Sequence, residues 1–253
     1  MALYSAFRRY LKEETPVALA TVVAGPFSIG AKMLVHADGR AEEQFQPPAL
    51  ACQVAGDAVR LLQREEPDTL LYDLPEDRFE VFIDPFPAPP ILVIVGATHT
   101  AISLSSFAHT LGYRVIVTDA RAAFAQTERF PDANEVIKGW PQDVLPGLRW
   151  NSATYLVLLS HDPKFDQPTL EIVLPTDVRY IGAIGSRKTQ RERFERLREQ
   201  GYSEQQLARI YGPVGLDIGA RSAEETALAI LAEVTAVRRG KPAGFMRPHR
   251  GRE

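Results

Sequence analysis

Residues 91–120 read ILVIVGATHTAISLSSFAHTLGYRVIVTDA, and this stretch decides the fold. Ile91–Val95 is apolar without alternation, the pattern of a parallel strand buried on both faces. Gly96 ends the run. A helix is expected from about Thr98 to Leu111, burying a face made of Ile102, Leu104, Ala108 and Leu111. Gly112 is placed to close it in the left-handed conformation. A second apolar run, Val115–Val117, leads to Asp119. The spacing predicts a βαβ unit that aims a helix N-terminus and an acid at one crevice, where a phosphate and a ribose can be held.

The loop between strand and helix departs from the dinucleotide fingerprint G-x-G-x-x-G/A. It reads Gly96-Ala97-Thr98-His99-Thr100-Ala101, so Thr98 replaces the glycine that lets a pyrophosphate approach the backbone. A β-branched side chain there hinders a dinucleotide lying flat on the loop. A ligand with a single terminal phosphate can still sit against the helix from further out.

Beyond Asp119, strands are expected at 134–137, 154–159 and 179–184, with helices at 166–174, 188–199 and from Ser222 to about Arg238. Glu225 stands at the capping-box position for Ser222. The alternation of strands and helices gives an α/β, Rossmann-like doubly wound parallel sheet over residues 91–240. Ligands of such sheets bind at the carboxyl ends of the strands. Ser160-His161-Asp162 and Gly185-Ser186-Arg187 follow two of those ends, so His161 is expected near His99. Arg187 offers a planar fork suited to phosphate oxygens. The arginines of the 188–199 helix, Arg191, Arg193, Arg196 and Arg198, read as a solvated face with salt bridges.

Before the sheet, residues 1–86 read as a small α+β domain. It has helices at 2–13 and 49–63, strands at 17–23, 31–35, 70–72 and 79–83, and a turn at His36-Ala37-Asp38-Gly39. Pro85, Pro87, Pro89 and Pro90 mark a stiff linker from Asp84 to Pro90. Residues 241–253 form a basic tail. The chain has 253 residues and a net charge of −3, which gives no support for nucleic-acid binding. It lacks an 18-residue apolar run and an N-terminal apolar core, so no membrane span is expected and a cytoplasmic protein is the default. The single cysteine, Cys52, excludes an intramolecular disulfide and a cysteine-only zinc site. Its place in an apolar helical pattern reads as a buried small hydrophobe.

With these pieces aligned, the chain resembles the XdhC/CoxI family, the xanthine dehydrogenase accessory factors. In the second domain the resemblance rests on Val95-Gly96-Ala97-Thr98-His99, Asp119-Ala120-Arg121, Arg129-Phe130-Pro131-Asp132-Ala133, Ser160-His161-Asp162 with Asp166, Ile181-Gly182-Ala183-Ile184-Gly185-Ser186-Arg187 and Pro213-Val214-Gly215-Leu216-Asp217-Ile218-Gly219. In the first domain it rests on Ala18-Leu19-Ala20-Thr21-Val22-Val23 and Gly30-Ala31-Lys32-Met33-Leu34-Val35. The family's Gly-Gly-Cys segment reads Pro47-Pro48-Ala49 here.

The resemblance implies a chaperone that binds molybdenum cofactor, as molybdopterin or its dinucleotide form. It would assist sulfuration and insertion of that cofactor into a molybdenum hydroxylase apoenzyme, with a cysteine desulfurase as a further partner and a homodimer as the expected assembly. The expected cofactor-binding residues are Gly96, Ala97, Thr98, His99, Asp119, Arg121, His161, Asp162, Gly185, Ser186, Arg187 and Asp217, with no protein metal site. Two alternatives remain open. One is an NAD(P)-dependent oxidoreductase with His161 as proton donor. The other is a divergent member that binds a nucleotide or a partner without cofactor transfer.

Overall fold

A computed structural model of the chain describes residues 2–42, 45–75, 77–160 and 162–246. His161 and the last part of the expected basic tail lie outside the described residues. The chain divides into two compact units between Ala88 and Pro89.

The first unit contains α1 (Ala2–Lys12), β1 (Val17–Ala24), β2 (Lys32–His36), β3 (Ala41–Glu42), α2 (Pro48–Arg64), β4 (Asp68–Asp73) and β5 (Arg78–Phe86). Its antiparallel sheet has the order β3-β2-β1-β5-β4. Alternation along β1 explains the layering. Ala18, Ala20 and Val22 pack with α2, whereas Val17 and Leu19 belong to the cluster that receives Phe7 and Tyr10 of α1. β5 runs through Pro85, where the sequence suggests a linker. Its pairing with β4 ends at Ile83, while its pairing with β1 continues to Phe86. Pro85 therefore sits where the strand has a neighbour on one side only, a place where a missing N–H is tolerated.

The second unit contains β6 (Ile91–Val95), α3 (His99–Thr110), β7 (Arg114–Asp119), β8 (Glu135–Lys138), α4 (Pro141–Val144), β9 (Thr154–Leu158), α5 (Pro163–Val173), β10 (Tyr180–Ala183), α6 (Arg187–Glu199), α7 (Glu204–Leu207), β11 (Ile210–Tyr211) and α8 (Ala223–Arg238). All pairings of its sheet are parallel, in the order β8-β7-β6-β9-β10-β11. That is the doubly wound order, and it reverses between β6 and β9. Leu92 and Ile94 face a core shared with α3 and α8. Val93 and Val95 face the opposite core, with Phe165 of α5 and Leu197 of α6. Two buried faces account for the unbroken apolar run of β6. Ser222 and Glu225 form the expected capping box on α8. Among the described residues, no helix is long and apolar enough to cross a membrane.

Three local expectations change. Leu111 is 53% exposed, because α3 ends at Thr110 and Gly112 turns the chain away with φ +80°. Cys52 is exposed, not buried. The buried face of α2 is made by Leu50, Ala51, Val54, Ala58, Leu61 and Leu62, and Cys52 lies about 100° around the helix from Ala51. It lines a cleft of about 530 Å³ with Arg40, Ala55 and Gly56. The arginine helix is not solvated throughout. Arg193 is 1% exposed and donates from Nε (3.2 Å) and Nη2 (2.7 Å) to Asp166 Oδ2, and from Nη2 to the Ile184 carbonyl at 3.0 Å. Arg193 also donates to Gln190. The surface reading holds for Arg198, which pairs with Glu204 at 2.6 Å in solvent.

Removing one partner of a buried ion pair leaves the other charge uncompensated. Asp166→Leu is expected to lower the unfolding free energy by about 3–5 kcal/mol in urea titration, whereas Glu204→Ala should leave the midpoint nearly unchanged. An Asp166→Leu protein as stable as wild type would show that Arg193 does not depend on this carboxylate. The exposed thiol is expected to react in the native protein with a chromogenic disulfide reagent, one equivalent per chain. Reaction only after denaturation would restore the buried reading of Cys52.

Candidate functional site

The carboxyl ends of β6, β7, β9 and β10 open on one edge of the parallel sheet. Gly96 leaves β6 with φ +106°. A Cβ there would lie 3.0 Å from Ser160 N and 3.1 Å from Leu159 C, so the loop passes directly against the end of β9. Both the backbone angle and this close approach require glycine.

Polar groups of the loop are mostly spent within the protein. Gly96 N donates to Thr118 O at 2.8 Å, and Thr98 N to Gly96 O at 2.9 Å. Ala97 N donates to Asp119 Oδ2 at 2.8 Å. Thr98 is the N-cap of α3, and its Oγ1 accepts from Ala101 N at 3.4 Å. The N–H groups of His99 and Thr100 occupy the first helical positions, which have no acceptor inside the helix. Among the described residues, no group outside the helix accepts from them.

Asp119 is fully buried at the tip of β7. Its Oδ1 accepts from Arg121 N and Arg121 Nε, both at 2.9 Å. Its Oδ2 accepts from Arg121 Nη2 at 2.7 Å and from Ala97 N at 2.8 Å. A carboxylate has about four lone-pair sites, and all are used. Burial pushes the Asp119 carboxyl up, but the hydrogen bonds from Arg121 and Ala97 outweigh it and hold the group below the usual carboxylate range. The Asp119 hydrogen bond raises the Arg121 guanidinium in turn. The acid expected to meet a ribose hydroxyl is thus an internal strut with no free acceptor.

Arg121 remains half exposed and stacks on Phe124, with Cζ 4.2 Å from the ring centroid. Arg129 approaches the same ring at 5.4 Å. Its Nη1 donates to Ala97 O at 3.2 Å and to Phe124 O at 2.8 Å. Phe124 and Arg129 were missed as site residues by sequence reasoning. Arg129 lies in a motif block, but nothing in local spacing signals that it reaches 32 residues back to the glycine loop.

The other expected residues are distributed along the edge. Asp162 caps α5, its Oδ1 accepting from Lys164 N at 2.9 Å, and it acts electrostatically on Arg121. Its backbone N donates to Ser160 Oγ at 3.1 Å. His99 is exposed at the start of α3, within electrostatic reach of Glu224 on α8. Gly185, with φ +143°, leads into Ser186, which caps α6 by accepting from Thr189 N at 3.1 Å. Arg187 and Asp217 are exposed. Among the described residues, neither is joined by a hydrogen bond or ion pair to the Gly96–Arg121 cluster. The loop carrying Asp217 is held by Gly215 N donating to Glu233 Oε1 at 3.2 Å, and by Leu216 N donating to Ala229 O at 3.1 Å. Also among the described residues, no three His, Cys, Asp or Glu side chains converge as a metal site.

Comparison with known proteins follows the same division of the chain. The XdhC Rossmann domain family matches residues 92–234, and the XdhC and CoxI family matches residues 10–73. The chain is 30% identical over 159 residues to a probable xanthine dehydrogenase subunit of Bacillus subtilis (strain 168), covering 63% of this chain and 46% of that protein. It is 39% identical over 85 residues to the molybdenum cofactor insertion chaperone PaoD of Escherichia coli (strain K12), covering 34% of this chain and 27% of that protein. The chain thus spans less than half the length of these curated relatives. A crystal structure of a xanthine dehydrogenase from Bacillus halodurans shares the fold, with a TM-score of 0.55 and 21% identity over 92% of this chain and 95% of that chain. Matches on both units of the fold, one of them over more than half of the residues, make this chain a member of the XdhC/CoxI family.

Proposed function

We propose that the protein is an accessory factor that binds molybdenum cofactor as cargo and assists its sulfuration and insertion into a xanthine dehydrogenase-type molybdenum hydroxylase. It would act in the cytoplasm, as a homodimer, with the hydroxylase apoenzyme and a cysteine desulfurase as partners. The names of two relatives support the cargo, one a molybdenum cofactor insertion chaperone and the other a probable xanthine dehydrogenase subunit. The observation that carries the choice of ligand is the saturation of Asp119. An NAD site of this fold uses the acid after the second strand to hold a ribose hydroxyl, and here that acid already accepts four hydrogen bonds. Thr98 adds a side chain where the pyrophosphate of a dinucleotide would meet a glycine.

The residues present fit a phosphate-bearing pterin better than a nicotinamide dinucleotide. The free N–H groups of His99 and Thr100 suit an anion at a helix N-terminus, and the guanidinium side of the crevice suits its charge. Molybdenum would be carried through the pterin. Within this reading the protein binds and orients the cargo and shields it until the partner enzyme takes it. Arg121, Asp162, Ser186, Arg187 and Asp217 are the side chains proposed to line its path.

The test is direct. Protein purified from a host that makes the cofactor is expected to carry molybdenum and pterin together, and to restore activity to a cofactor-free hydroxylase. Absence of both, with NAD(P) bound instead, would sink the reading. A ligand competition addresses selectivity. Wild type is expected to bind NAD at least tenfold more weakly than Thr98→Gly, because that variant removes the obstructing side chain. Tight NAD binding by wild type, equal to that of the variant, would show that Thr98 is no barrier and would favour the oxidoreductase alternative.

A further inference from the structure

We propose that Arg129 and Arg121, both stacked on Phe124, form a bracket for a phosphate monoester, with Arg129 making the principal two-point contact. The proposal deepens the cargo reading and rests on the Gly96 crevice being the cargo site.

A guanidinium has five N–H donors. Arg129 uses Nη1 on the carbonyls of Ala97 and Phe124, at 3.2 and 2.8 Å. Its other edge, Nε with Nη2, is the fork that matches two oxygens of a phosphate. Among the described residues, no ion pair and no hydrogen bond engages that edge. Arg121 is held the other way round, with its Nε and Nη2 fork closed on Asp119. One guanidinium is therefore neutralised in place by a buried carboxylate, and the other keeps an open fork.

Both cations are fixed on one aromatic ring. Their Cζ atoms lie 4.2 Å (Arg121) and 5.4 Å (Arg129) from the Phe124 centroid, and Arg129 is also 5.6 Å from the buried Phe130 ring. The rings hold the guanidiniums by cation–π attraction. Two carbonyls and two rings leave Arg129 little rotamer freedom, so its open fork is pre-organised and loses little entropy on binding. Asp119 offsets the charge of Arg121, so Arg129 supplies the uncompensated cation beside this ring. Asp162 is the other acid acting on Arg121. It is committed to capping α5.

The anchor on Ala97 O sets the location. Ala97 follows the glycine turn of β6, and in doubly wound sheets this turn is where the ligand's phosphate sits. A dianionic monoester is held by the open Arg129 fork more strongly than a monoanionic carboxylate is.

Calorimetric titration with inorganic phosphate, with acetate as the carboxylate control, tests the bracket on wild type, Arg129→Gln, Arg129→Lys and Arg191→Gln. Arg191 is an exposed arginine on α6. Phosphate affinity is expected to fall about tenfold or more in Arg129→Gln, less in Arg129→Lys, which keeps the charge and loses the fork, and not at all in Arg191→Gln. Acetate is expected to bind more weakly than phosphate to wild type. If Arg129→Gln does not unfold cooperatively, Arg129→Lys decides the matter. Wild-type phosphate affinity in the variant that decides, or no phosphate binding by wild type, overturns the bracket.

Molybdenum and pterin contents of the same preparations separate this proposal from the cargo reading. Cargo retained in wild type and variants alike, with phosphate affinity unchanged, overturns the bracket and leaves the cargo reading standing. Arg129-dependent phosphate binding without any cargo leaves the bracket standing and removes the pterin from it.

Discussion

The carboxylate of Asp119 holds the edge of the sheet together. It is fully buried and would be costly there without partners. Four donors compensate it: the Ala97 N–H, and three from Arg121, namely its N–H, Nε and Nη2. One side chain therefore ties the loop after β6 to the end of β7, and aims Arg121 out of the sheet onto Phe124. Arg129 reaches the same loop one peptide group further on, through Ala97 O. The single residue Ala97 thus has its N–H held by an acid and its carbonyl held by a base. A loop pinned in this way needs no ligand to define its shape.

The sequence made the second unit legible because its physics is local. An unbroken apolar run, a glycine with no room for a side chain and a second run ending in an acid specify a βαβ unit whatever surrounds them. The capping box of Ser222 and Glu225 is likewise written within one helical turn. Legibility ended where a residue's role depends on distant partners. Arg193 and Arg198 look alike in the helix 187–199, yet Arg193 is buried on Asp166 and Arg198 pairs in solvent. The difference is which face packs on α5, and a helix with so few apolar residues does not reveal its inner face. Cys52 failed for a related reason. The apolar stripe of α2 is real, but Cys52 lies beside it and not on it.

The candidate site divides in the same way. Gly96, Thr98 and Asp119 were recognisable from spacing, and each sits at the crevice. What spacing could not tell was how far each was already committed to the protein. Thr98 caps its own helix and Asp119 binds the loop after β6. Phe124 and Arg129 fall in the segment between β7 and β8, which has no regular period to read. Arg129 is brought to the crevice by a return contact to Ala97 that only the folded chain displays, and Phe124 by its contact with Arg129.

These commitments change how the departure at Thr98 is understood. In the dinucleotide fold, glycine lets the pyrophosphate lie on the backbone, so that most recognition comes from main-chain N–H groups. Here the N–H groups of Gly96, Ala97 and Thr98 are all consumed within the protein. Restoring glycine at position 98 would clear space but would not free those donors. Apart from the His99 and Thr100 N–H groups, contact with an anion there would fall to side chains that reach over the loop. Arginines held by aromatic rings supply that charge without requiring the ligand to approach the backbone closely. Thr98 in place of the second glycine and Arg129 on Ala97 fit one arrangement: a Rossmann-like frame in which the proposed phosphate contact lies outward, on the segment after β7.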